Sequence, residues 1–151
     1  MTIGRMMALI GVALLVLISN VTVSILYMVL YGHVIDPGHD PKYYQDHIQM
    51  AGPYCSIVAG IPIMFVAGWW VAGLWRQVLR FRGALLVWLA YTIIDLSILL
   101  IAGLSLGVGV FFVISFATKL AAAYWGASVR LKALMDQSVL SPAAIGPNVE
   151  P

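Results

Sequence analysis

Four long apolar stretches take up most of this chain, and the charges between them are too few for a water-soluble fold. The first runs from Met6 to Tyr31, the second from Pro53 to Trp75, the third from Gly83 to Gly103 and the fourth from Gly107 to Ser128. A bilayer core about 30 Å thick takes roughly 20 apolar residues per helical span. Each stretch meets that length, and backbone in lipid must satisfy its own hydrogen bonds, so each is expected as an α-helix. Only 9% of the residues are charged, against about a quarter in soluble domains. The expected fold is an all-α integral membrane protein, a bundle of four transmembrane helices occupying residues 1–132. Beyond Lys132 the sequence turns to proline and small residues, which reads as a disordered cytoplasmic tail over 133–151.

Arg5 ahead of the first apolar run has the look of a secretory leader, but the run is far longer than the roughly 7 to 15 residues of a leader's apolar core. It is read as a span. The Asn20-Val21-Thr22 sequon then lies in lipid and has no meaning for glycosylation.

Basic residues set the orientation. Arg5, Arg76, Arg80, Arg82, Arg130 and Lys132 flank the spans on one side, and Lys42 alone stands on the other. Cytoplasmic loops carry the excess of lysine and arginine, so both ends are expected inside, in a multi-pass protein of the cytoplasmic membrane if the source is bacterial. The aromatics agree: Trp69, Trp70, Trp75, Trp88 and Trp125 fall in the inner half, and Tyr27, Tyr31, Tyr43, Tyr44 and Tyr54 towards the outside, both suited to anchoring at membrane interfaces.

The one substantial polar loop, Gly32 to Gly52, holds all three histidines. Asp36-Pro37-Gly38-His39 has proline and glycine where a type II turn wants them. Asp40-Pro41 has the form of a helix cap followed by proline at the first helical position, which predicts a short interfacial helix over 41–50 in the first extracytoplasmic loop. His33, His39 and His47 with Asp36 are metal-ligand types close together, yet their spacing matches no usual zinc pattern. Asp36 and Asp40 are already explained by turn and cap duties. No cofactor is expected; a divalent metal on these four residues is the alternative.

Two charges lie inside the spans. Asp95 sits near the middle of the third and Lys119 near the middle of the fourth, and each costs at least about 2.5 to 3.5 kcal/mol at that depth. Counted from Ser105 in the intervening turn they are offset by about 6 Å in depth, and side chains lean towards the N-terminus of their own helix, which closes the gap. A buried ion pair between Asp95 and Lys119 is expected, supported by Thr92, Ser115 or Thr118 and by Asn20 from the first span. Such a pair fixes helix register, relays protons, or belongs to a contact with another subunit.

Gly52, Ser56, Gly60 and Gly68 recur at multiples of four along the second span, interrupted by Met64. A small-residue stripe lets another helix approach closely, here a neighbour or a second copy. Pro62 in the same span is expected to kink it.

Several chemistries are set aside. One cysteine, Cys55, builds neither a disulfide within the chain nor a multi-cysteine metal site. There is no basic patch interleaved with aromatics for nucleic acid, no glycine loop for phosphates, and no intramembrane histidine pair for haem. The leading expectation is a non-enzymatic accessory or interaction subunit whose partners are the lipid bilayer and either further copies of itself or another membrane protein. The alternatives are a small oligomeric proton-coupled carrier using Asp95 and Lys119, and a metal-dependent enzyme at the outer histidine loop.

Overall fold

A computed structural model describes residues 3–74, 80–102 and 106–140. The chain is all-helical there: α1 spans Ile3–Leu30, α2 Pro41–Leu74, α3 Arg80–Ala102 and α4 Leu106–Leu140. All four are long and apolar enough to cross a membrane.

Straight after α1 the chain widens into one π-helical turn, Tyr31–Ile35, closed by the Asp36 amide donating to the Tyr31 carbonyl at 2.9 Å. The turn beyond it forms as its residues dictate. Gly38 has φ +95°, the left-handed conformation that a type II turn needs at this position. Asp40 Oδ1 accepts from the Tyr43 amide at 2.9 Å, capping a helix whose first residue is Pro41.

That helix does not stop at Met50. Residues 41–50, expected as a separate interfacial segment, are the first turns of α2, which passes Gly52, Pro53 and Pro62 unbroken. Each proline deprives the carbonyl four residues earlier of its partner, a loss that membrane helices tolerate when neighbouring groups take over. At the other end, α4 runs on to Leu140, so residues 133–140 are helical rather than part of a tail; residues 141–151 lie outside the described residues. The centre of the uncharged link between the third and fourth spans, 103–105, and part of the arginine-rich link, 75–79, also lie outside them.

The bundle is held by one stripe from each helix. Leu9, Ala13, Val16 and Asn20 repeat at intervals of four and three along α1, and all are buried. They face Met64, Ala67 and Val71 of α2, Val87 and Tyr91 of α3, and Ala122 and Ala123 of α4. Lower down, Ala72, Ala84 and Ala127 make a second, all-alanine contact between α2, α3 and α4. Small side chains suit this setting, because helix association in lipid comes from close packing rather than from expelling water.

The most extensive contact is between α2 and α4, not within the α3–α4 hairpin. Glycine makes it possible: a Cβ on Gly68 would strike the Ala123 carbonyl oxygen, and one on Gly126 would strike that of Phe65. Met64, which interrupts the stripe in sequence, is wholly buried in the core.

Candidate functional site

Where the four stripes cross, the packing is polar. Lys119 of α4 has 0% of its surface exposed. Its Nζ donates to Ser56 Oγ of α2 at 2.9 Å and to Tyr91 Oη of α3 at 2.7 Å, and it lies 4.8 Å from the centre of the Tyr91 ring. Asn20 of α1 completes the meeting, its Nδ2 donating to Ser56 Oγ at 3.1 Å and to Tyr91 Oη at 3.4 Å. Gly60, one turn along α2 from Ser56, leaves the room through which the lysine stem passes: a Cβ there would collide with Lys119 Cε.

Asp95 belongs to this cluster at one remove. The Tyr91 hydroxyl donates to Asp95 Oδ2 at 3.2 Å, so lysine and aspartate are joined through the tyrosine. The direct ion pair expected between them is not formed; the one ion pair among the described residues, His39 with Asp36, lies between α1 and α2. The lean of the aspartate towards the start of its own helix brings it onto Tyr91, one turn back, instead of across to α4. Asp95 is half-buried.

The supporting hydroxyls are placed less simply. Thr118 donates to the Ile114 and Ser115 carbonyls of its own helix, at 2.9 and 3.0 Å, and takes no part in the cluster's hydrogen bonds. Thr92 Oγ1, Ser115 Oγ and Asn20 Oδ1 are buried without a partner. Each such group costs about 1–3 kcal/mol.

The small-residue stripe divides between two duties. Gly60 and Gly68 face α4 within the chain and Ser56 joins the hub, while a Cβ on Gly52 would meet nothing within 4 Å. Most of the stripe is consumed inside the molecule and is not left over for a second copy.

At the end of the bundle where α1 passes into α2, a separate cluster forms around Asp36. Its Oδ2 accepts from Tyr43 at 2.7 Å and Tyr31 at 3.2 Å, and its Oδ1 pairs with His39 Nε2 at 3.0 Å. The Tyr43 hydroxyl, then His39, holds this carboxyl below its ordinary value of 3.8. His47 stacks on Tyr31 with ring centres 3.8 Å apart and shares a 3.0 Å hydrogen bond with Tyr27. His33 is turned the other way, Nδ1 donating to the Val29 carbonyl at 2.9 Å.

The four candidate metal ligands therefore do not converge. Only His39 and Asp36 touch, and among the described residues no three histidine, cysteine or acidic side chains come together as a metal site requires. Stacking on tyrosine and bonding to α1's own backbone draw the other two histidines to separate partners.

Tyr91 carries the hub, yet reading the residues in order does not single it out. The available signal is a tyrosine at mid-span, away from either interface, one helical turn from an intramembrane aspartate.

No protein-family model, curated protein or solved structure matches this chain.

Proposed function

We propose that this chain is an accessory or interaction subunit that works inside the bilayer, with α1 beginning and α4 ending on the cytoplasmic side and the first turns of α2 in the outer headgroup region. The observation that carries this reading is the use made of Lys119. The one fully buried charged side chain among the described residues helps tie four helices together, and large apolar side chains are exposed on the outer faces of all four helices. A protein that offers little but apolar helix faces acts through lateral contacts. The arginine and lysine count given above supports the orientation.

Solubilisation in a mild detergent followed by native mass spectrometry tests it. A stoichiometric membrane partner, or a defined assembly of identical copies, is the expected result. A lone monomer at every detergent and lipid ratio would overturn it. Reporter fusions at Lys42 and at the C-terminus are expected on opposite sides of the membrane.

One observation favours a second reading, a proton-coupled carrier. Lys119, Tyr91 and Asp95 form an unbroken series of hydrogen bonds between titratable groups, running from the sealed centre to a half-buried carboxylate, as a proton relay needs. Proteoliposomes loaded with a pH dye would then show flux that Asp95→Asn and Tyr91→Phe each abolish. Equal leak in the wild type and both variants rejects this reading.

A further inference from the structure

At the arginine-bearing end of the bundle, Arg130 is held in a manner that neither the fold nor the hub explains. Its guanidinium lies over the Trp69 ring, 4.5 Å from the centre. It rests on α2 where Gly73 has no side chain; a Cβ there would lie 3.0 Å from Nε. Nε itself is buried and without a hydrogen-bond partner. Among the described residues no carboxylate pairs with this arginine. An arginine stacked on an aromatic face keeps the edge of its planar fork free for an oxyanion.

The surroundings favour one kind of oxyanion. Ala72, Ala84 and Ala127 pack together, which brings Arg82, two residues before Ala84, to the same end of the bundle as Arg130, three residues after Ala127. Lys132, two residues further along α4, adds charge at this end from another face of the helix, and Asp136 is the one acid described there. Trp69 and Trp125 are exposed there, as are Phe81 and Tyr124, whose stacked rings lie 5.2 Å apart. Fixed positive charge above an exposed aromatic shelf matches a ligand with a phosphate head and acyl tails.

We infer that Arg130, seated on Trp69 and Gly73, binds the phosphate of an anionic phospholipid of the arginine-side leaflet, with Arg82 and Lys132 adding positive charge at the same end of the bundle. Charge complementarity commits the site to this ligand: basic recesses between membrane helices take anionic head groups, and a guanidinium fork grips phosphate oxygens in two parallel hydrogen bonds.

The full chain, placed in nanodiscs of equal phosphatidylcholine and phosphatidylglycerol, is released into native mass spectrometry and its retained lipids are counted. Retention of phosphatidylglycerol over phosphatidylcholine by about five-fold or more is expected, the ratio that one cation's attraction to an anionic surface supplies. Arg130→Gln should remove most of that preference, and Lys42→Gln, at the opposite end, should leave it intact. Inorganic phosphate at millimolar concentration should not displace the lipid; displacement would mean a site for free phosphate. In case Arg130→Gln does not fold, Arg130→Lys keeps the charge but not the planar stack and should lower the preference part of the way. In the wild type itself the preference should shrink with salt. Equal retention of the two lipids, or a preference unchanged in both Arg130 variants, overturns the site.

Discussion

Gly60 and Lys119 occupy the same space: the lysine's Cε lies where a side chain at residue 60 would have to begin. One missing methyl group on α2 is thus the condition for a charged side chain of α4 to be wholly buried. Gly60→Ala forces the lysine stem aside and, as overpacking, should cost about 1–3 kcal/mol. The loss should shrink in the double variant Gly60→Ala with Lys119→Ala, where the obstructing stem is gone. Thermal unfolding of the four proteins in one detergent measures the coupling, and additive losses would show that the two residues do not share this space.

The order of bonds in the hub makes Tyr91 matter more than Asp95. Tyr91→Phe takes from Lys119 one of its two hydrogen-bond acceptors and from Asp95 its donor, leaving buried groups unpaired at about 1–3 kcal/mol. Asp95→Asn keeps an oxygen for the tyrosine to bond. Its destabilisation should be the smaller of the two by thermal shift. The opposite ranking is what a direct ion pair would give, since removing one partner then strands a buried charge.

Acid should loosen the Asp36 cluster through one carboxyl. The folded value for Asp36 is depressed below 3.8, first by the Tyr43 hydroxyl and then by His39. A depressed carboxyl contributes stability above its unfolded value and loses it as pH falls through the folded value. Near-ultraviolet circular dichroism of the tyrosines should therefore hold steady down to about pH 4 and change below it. In Asp36→Asn the low-pH change should be absent, and the signal at neutral pH should already be altered.

Much of this arrangement is legible along the chain because lipid imposes strict lengths. The four spans follow from apolar runs, the turn at Gly38 and the cap at Asp40 follow from local residue chemistry, and Asn20, Asp95 and Lys119 do belong to one cluster. What does not follow is which helices pack together. Adjacency in sequence favours pairing α4 with α3, whereas the contact at Gly68 and Gly126 draws it to α2, and that preference exists only in three dimensions. The same reason hides Tyr91: the depth count considers only Asp95 and Lys119, whereas the tyrosine hydroxyl one turn away is the group that reaches the aspartate. Gly52-Pro53 misleads differently. Its chemistry suits a helix start, and a membrane helix with other packing support passes through it.

The glycines of the α2–α4 contact offer a test that separates close approach from mere small size. Gly68 and Gly126 each oppose backbone carbonyls of the facing helix, at Ala123 and Phe65. Backbone cannot rotate out of the way as the Lys119 stem can, so Gly68→Ala or Gly126→Ala must push the helices apart along the bundle's most extensive contact. Gly52 lies on the same stripe with nothing within 4 Å of its missing Cβ. Gly52→Ala should be neutral or slightly stabilising, because alanine is the better helix former by about 1 kcal/mol. The first two should be destabilised well beyond the Gly60→Ala variant, and cysteine crosslinking between α2 and α4 should slow in them while Gly52→Ala crosslinks at the wild-type rate. If all three alanine variants melt alike, the stripe acts through composition alone, and the observed contact between α2 and α4 is not what holds the bundle together.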